Sequence, residues 1–412
     1  MVAQGSGLGP GRRLPYSQRM PAALTDARVD SDALRLGRIL AGCSWESLSG
    51  PSVVDWPALV RRAIDERVGP LLLARLGADA HLPEVEKRLL RAELYRTEAS
   101  SLILYRALGR LIERSSESGL APPVVLKGGA LASSLYDEIG HRPMGDIDVL
   151  VPREELEGWL DLARKASFRR LSPEMSPGLD LAIHYHAALS GEEESGATIE
   201  LHYGLIAGEA DWRAPDPRWF LERTEEWHPP SAASCHARQL DPTAHLLYLS
   251  AHAMLQHGGA AARMIWFYDL HLLISRRSDR IRWAELLEQA KRLQWEPALG
   301  AALARSHALF ETGLPDGLAE ELEVHPGERR AREVRRRGDP DRSRAEIVWS
   351  ELRSVGVGRA LLWALGILFP RPEYMKWRYP EAGRFWPAIY PVRWARALWE
   401  GARALLRRKP LG

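Results

Sequence analysis

Apolar residues along this chain recur at two different periods, and the change of period marks its organisation. From about Ser31 to Ser118 the spacing is helical: Leu34, Leu36, Ile39 and Leu40 fit one apolar face, and Val60, Ile64, Val68 and Leu72 fit another. Val85–Arg114 carries leucines at mixed three- and four-residue spacing, which predicts one extended helix or a bent pair. Nothing in this lead-in points to chemistry. Between Pro122 and Tyr203 strands and helices mix. Val124–Leu126 predicts a short strand, and Leu131, Leu135 and Ile139 predict a helix stopped by Gly140. Asp146–Val151 alternates polar and apolar and predicts a strand, after which Pro152-Arg153-Glu154-Glu155 opens a helix to about Ala166. Phe168–Leu171, Leu181–Leu189 and Ala197–Tyr203 predict three more strands, joined by turn-rich segments.

Helical spacing returns after Asp241, with helices predicted at Pro242–Gln256, Ala261–Arg276, Ile281–Arg292 and Pro297–Thr312. Val324–Arg342 is crowded with Arg, Glu, Asp and Gly and predicts a solvated connector. A last helix at Ser343–Leu368 precedes a Trp- and Arg-rich tail, Arg371–Arg408. The expected fold class is α+β, a core that mixes strands and helices set between helical flanks. The expected divisions are a flexible arm at 1–30, a helical region at 31–120, a catalytic core at 121–240, a helical substrate-side domain at 241–322, a charged connector at 323–342 and C-terminal helices at 343–412. No internal repeat is visible.

The stretch Val124–Val151 carries the chemistry. Asp146 and Asp148 project from one face of their strand, about 7 Å apart along the chain. Gly128 and Gly129 sit between a strand and a helix, where free N–H groups and the helix dipole favour phosphate and where glycine allows close approach. In Thr198–Tyr203, Glu200 and His202 share one strand face while Ile199, Leu201 and Tyr203 share the other. Nucleotidyl transfer gathers negative charge on phosphate oxygens, and two divalent ions bridged by carboxylates stabilise it. Mg²⁺, a hard ion that favours oxygen, suits Asp146, Asp148 and Glu200, with Glu200 also helping to deprotonate the acceptor hydroxyl. Lys127 and Arg142 are candidates to steady the triphosphate, with a plain surface charge the alternative for each, and His202 reads as a hydrogen-bonded structural histidine or else a substrate contact.

Composition narrows the picture only a little. In 412 residues, the hydrophobic fraction of 45% and charged fraction of 27% describe an ordinary globular protein of two or three units. A formal net charge of +2 gives no global field that demands nucleic acid, although arginine becomes dense after about Arg329. Cys43 and Cys235 stand in no metal or redox spacing, so a reducing cytoplasm is expected. The first residues lack a secretory apolar run, and Ala360–Phe369 is about half the length that crosses a bilayer, so no transmembrane segment is expected.

The order LKGGALASSLYDEIGHRPMGDIDVLV, followed by IELHYGL, resembles the DNA polymerase beta-like nucleotidyltransferase superfamily. Within it the chain is most similar to a bacterial group of uncharacterised nucleotidyltransferases, family five. The resemblance covers roughly Pro122–Ile274, including the helical block with His245–His257, Trp266 and Asp269. It implies a small mixed sheet flanked by helices, with Asp146 and Asp148 as metal carboxylates, Glu200 as the third, Gly128-Gly129 as phosphate loop, and a nucleoside triphosphate as substrate. The superfamily commonly has Gly-Ser in that loop; here Gly129 takes the second place, so backbone donors alone would serve. The acceptor (small molecule, saccharide, protein or RNA) is left open, as is the oligomeric state.

Two rival readings stand beside this one. A histidine metal site could be drawn from His245, His252, His257 and His271, but His252 and His257, five apart, are expected on different helix faces. These side chains are expected instead to cap or line the cleft facing the sheet, with Arg263 and Asp269. The tail interleaves Trp377, Trp386, Trp394 and Trp399 with arginines, which suits either tryptophans packed on the body or a membrane or nucleic-acid surface. Under the latter the protein is a non-catalytic binding or regulatory module, such as an antitoxin or adaptor.

Overall fold

The computed structural model describes residues 30–43, 54–78, 81–176, 184–193, 196–207, 215–230, 236–259, 262–323, 346, 350 and 357–406. Residues 1–29 of the expected arm, 324–342 of the charged connector, most of 343–356 in the last expected helix, and Cys235 lie outside them. Four helices lead the chain: α1 (Ser31–Leu40), α2 (Trp56–Asp65), α3 (Gly69–Leu76) and α4 (Glu84–Glu117). Asp30 and Asp55 cap the first two, each carboxylate accepting the N–H three residues on, at 2.9 and 3.0 Å. The leucine-rich stretch forms one continuous helix of 34 residues, about 51 Å long. Its first half packs with α1–α3 through Leu90, and its second half packs against the sheet through Leu104, Leu108, Leu111 and Ile112.

The sheet chain then runs β1 (Val124–Val125), α5 (Lys127–Ser134), β2 (Ile147–Leu150), α6 (Leu156–Lys165), β3 (Phe168–Arg170), β4 (His186–Gly191), β5 (Thr198–His202), α7 (Arg218–Leu221), β6 (Thr224–Trp227) and β7 (Ala237–Leu240). Seven strands make one mixed sheet in the order β3-β4-β5-β2-β1-β7-β6. The α+β expectation is met, with a sheet two strands wider than the sequence reading. β7 runs parallel to β1 and β6 pairs antiparallel with β7. The expected Leu181–Leu189 strand starts later, at His186, and residues 181–183 lie outside the described set. The helix after Gly129 stops at Ser134 rather than Gly140, and Ile139–His141 forms a separate 3₁₀ turn. There the Tyr136 hydroxyl donates to Asp269 at 2.6 Å, which draws the chain off the helical path.

β2 and β5 run parallel with Asp148 directly opposite Glu200. Val125, Ile147, Val149, Ile199 and Leu201 face the layer of α4 and α6. Asp148, Glu200 and His202 therefore point to the opposite layer. That layer joins α1–α3 to α8 (Pro242–Ala251), α9 (Met264–Arg277), α10 (Trp283–Leu293), α11 (Glu296–Phe310) and α12 (Leu318–Glu323) in one apolar core. Asp241 caps α8, with Pro242 in the first turn. Further along come α13 (Val357–Leu368), α14 (Pro372–Arg378) and α15 (Ile389–Leu406). Trp363 and Met375 are buried, whereas Trp377 and Trp399 stand exposed rather than packed on the body.

Candidate functional site

The strand–helix junction at Lys127 is built with a backbone cost. Lys127 opens α5 at φ +46°, a left-handed conformation that non-glycine residues rarely take. The two glycines that follow have different reasons to be small. A Cβ on Gly129 would meet Ile147 at 2.9 Å and Val125 at 3.0 Å, so the helix lies directly on β1 and β2. The Gly129 carbonyl accepts the Tyr105 hydroxyl at 2.8 Å. Gly128 instead borders a cavity of about 390 Å³ between the sheet and the helical layer. Of the predicted phosphate loop, Gly128 thus forms cavity wall and Gly129 is packed behind it.

That cavity is lined by charges of both signs. Asp146, Asp148 and Glu200 border it, with Lys127 among them. Lys127 Nζ donates to Asp148 Oδ1 at 2.9 Å, and His202 Nε2 donates to the same oxygen at 2.8 Å. Burial opposes the charge on Asp148, but these two cations hold its carboxyl well below the usual range. Asp146 lies one residue before β2 and is pushed up to about 6, by burial first and then by the charges of Asp148 and Glu200. Burial raises Glu200, yet the His202 hydrogen bond and the nearby His186 bring it below its ordinary value.

His202 is fully buried, with Nδ1 3.3 Å from the Gly204 carbonyl and Nε2 3.4 Å from Glu200. Burial disfavours its charge, but the bonds to Asp148 and Glu200 raise it above the usual imidazole value. It serves as a clamp on two carboxylates, behind the cavity wall. His186, which sequence reasoning missed, stacks on His202 at 5.2 Å and reaches within 3.7 Å of Glu200. Among the described residues, His186, Glu200 and His202 are the one set of three such donors whose ligand atoms all lie within 4.8 Å of one another.

Arg67, Arg142 and Arg263 also line the cavity, and Arg67 is close enough to Asp146 for each to act on the other's charge. Burial, and then Arg263 and Arg142, push Arg67 below the usual guanidinium range, which reports how closely these positive groups crowd. Arg67 comes from the helical lead-in that held no chemistry in the sequence reading; it turns in at φ +59°, just after α2. Arg142 is forked onto Asp269, with Nε–Oδ1 at 2.9 Å and Nη2–Oδ2 at 2.7 Å, and its Nη1 donates to the Pro143 carbonyl at 2.7 Å. Asp269, expected on the substrate side, is fully buried behind Arg142 and does not border the cavity.

His252 and His257 do line the cleft, as does Trp266. They share a side, contrary to the sequence expectation, because residues His252–Gln256 form a π-helical turn. The wider turn carries the chain round so that the two rings lie 4.6 Å apart, and His257 packs on Trp266 at 4.4 Å. Burial holds His252 well below its ordinary pKa and His257 down to about 4. His245 and His271 are elsewhere, the latter bonded to Thr312 at 3.0 Å. The four helical histidines form no metal set among the described residues.

Residues 52–311 match the family described as uncharacterised nucleotidyltransferase. The chain belongs to this family. General nucleotidyl transfer is the activity that membership supports, and the sheet-and-helix core is the fold that goes with it. No curated protein and no solved structure matches the chain. No helix among the described residues is long and apolar enough to cross a membrane.

Proposed function

We propose that the protein transfers a nucleoside monophosphate from a nucleoside triphosphate to a hydroxyl group, releasing pyrophosphate, with Mg²⁺ as the activating ion. The observation that supports this most is a single cavity lined by three carboxylates and by Lys127, Arg67, Arg142 and Arg263. A triphosphate–metal complex needs both signs of charge at once. The donors suit a divalent ion by their chemistry rather than by a closed set, since among the described residues only His186, Glu200 and His202 bring their ligand atoms within 4.8 Å of one another. Burial first, and then the charges of Asp148 and Glu200, push Asp146 up to about 6, and bound positive charge would relieve the second of these. In this reading Asp146, Asp148 and Glu200 hold the ion, with His186 beside them as a nitrogen donor. Bound there, the ion would withdraw charge from phosphate oxygens and make the acceptor hydroxyl more acidic.

The remaining tasks fall to the chain itself. Arg67, Arg142 and Arg263 take the phosphate charge, and the Asp269 fork fixes Arg142 in place. Gly128 lets the α5 N-terminus approach the phosphates, whose negative charge the helix dipole favours. Trp266, with the His257 ring tilted against it, offers an aromatic surface on which a nucleobase can stack. The acceptor oxygen bonds to the α-phosphorus as the bond to the bridging oxygen breaks. Pyrophosphate departs, and the hydroxyl proton passes to Glu200, whose depressed pKa keeps it ionised at neutral pH.

The test is incubation of the purified protein with Mg²⁺, each α-labelled triphosphate and cell extract. Label moving into a product that needs Asp146 supports transfer. Tight nucleotide binding with no labelled product makes the protein a regulatory module instead.

A further inference from the structure

The C-terminal helices carry a surface that the nucleotide cavity does not use. Apart from Arg359 near its start, α13 is made of apolar residues, and only part of it is covered. Trp363 and Gly366 turn inward, while Leu361, Leu362, Leu365, Leu368 and Phe369 form an outward stripe at helical spacing. Leu361 is 62% exposed and Leu365 54%. The stripe is not a fraying end. The terminal carbonyls of α13 are tied to α15: Arg393 Nη2 donates to Ile367 at 3.1 Å, Trp394 Nε1 to Leu368 at 2.8 Å, and Tyr390 to Pro370 at 2.5 Å. The Arg371 N–H donates to the Met175 carbonyl at 3.0 Å, which fixes the segment to the loop after β3. A rigid mount therefore holds leucines in water, and α15 adds Leu398 and Trp399, the latter 64% exposed.

Charge says what such a surface fits. Residues 357–412 carry eleven Lys or Arg against three Asp or Glu, whereas the preceding 356 residues carry 45 against 51. The chain's near-neutrality is thus the sum of an acidic body and a strongly basic tail. A second copy docking face to face would bring two basic tails together. Nucleic acid would take the arginines and tryptophans, but it offers nothing to a row of leucines. A bilayer with anionic headgroups satisfies all three: leucines enter the acyl boundary, tryptophans sit at the interface, and arginines meet lipid phosphate. At 12 residues α13 is about 18 Å long, too short to span and suited to lying in the plane.

We propose that the exposed face of α13, with its basic surroundings, docks the protein onto a membrane surface rich in anionic lipid. Docking is independent of the nucleotide cavity. It would place nucleotidyl transfer beside acceptors held at a membrane.

The test is flotation of the full-length protein with phosphatidylcholine vesicles, with and without roughly one-third phosphatidylglycerol. Co-flotation with the anionic vesicles alone, weakened by salt, is expected. Leu361→Asp/Leu365→Asp should lower the bound fraction about tenfold or more, and Arg378→Glu/Arg384→Glu about fivefold. All four positions are on the surface, and an unchanged circular dichroism melt confirms folding. Absence of flotation by the parent protein, or equal flotation by the leucine variant, overturns the proposal. So does a leucine-dependent dimer, or an RNA mobility shift, in a protein that ignores vesicles.

Discussion

Two buried charge clusters flank the same cavity and are built on opposite terms. In one, Arg142, Asp269 and Tyr136 close on one another: the guanidinium forks onto a carboxylate that also accepts the tyrosine hydroxyl, and Asp269 has no exposure. Burial opposes the charge on Arg142, but Asp269 raises it well above the usual value. In the other, three carboxylates share one buried ammonium and one clamped imidazole, and Asp146 remains pushed up to about 6. The first cluster is finished and joins the sheet side to α9. The second is short of positive charge. Closure of this kind holds Arg142 in one orientation at the cavity, and an unbalanced set in a cleft marks a place that awaits something.

The comparison can be broken first at Asp146. Asp146→Asn should reduce turnover by a thousandfold or more, about 4 kcal/mol of transition-state stabilisation, in the labelled-triphosphate assay. Near-parental turnover would remove the carboxylate mechanism. Asp148→Asn is a less clean test, because Lys127 and His202 would lose their partner inside the protein. At the closed cluster, Asp269→Ala should cost about 3–5 kcal/mol of unfolding free energy by stranding Arg142, read from a denaturant midpoint. A small loss there would mean that the fork is ornamental. Gly129→Ala should destabilise by about 1–3 kcal/mol, since its methyl would meet Ile147 at 2.9 Å.

The smallest effect has the opposite sign. A carboxyl raised to about 6 in the fold is easier to ionise in the unfolded chain, so its charge works against folding above that pH. In metal-free protein at pH 7, Asp146→Asn should therefore be more stable than the parent by about 1–2 kcal/mol. That advantage should fade as pH falls through about 6 and vanish near 4, where the parent carboxyl is protonated in both states. An unchanged or lower melting temperature at pH 7 would show that the two clusters are equally balanced.

Much of this was legible in the sequence. The alternation around Asp148, the glycines before a helix, and the Glu200–His202 face all follow from period-two spacing, and the structure sets Asp148 opposite Glu200. What spacing cannot show is which distant residue turns inward. Arg67 enters through one left-handed residue after a helix, and Tyr185 and His186 reach the cavity from where β4 begins. His252 and His257 were misplaced because an ideal helix was assumed where a π-turn lies. β6 and β7 escaped notice because each is four residues long; β6 is mostly polar, and β7 finds its apolar partners only in the assembled sheet. His202 was legible as a hydrogen-bonded structural histidine, and the structure buries it against Asp148, Glu200 and the His186 ring.

The parallel register of β2 and β5 has a consequence for biosynthesis. Parallel neighbours need a crossover, and here α6, β3 and β4 all intervene before Glu200 can meet Asp148. Arg142 waits longer, since it is oriented only once Asp269 has emerged and α9 has docked. The centre is therefore assembled in two stages, carboxylates before Arg142, and a chain that ends before α9 lacks the second.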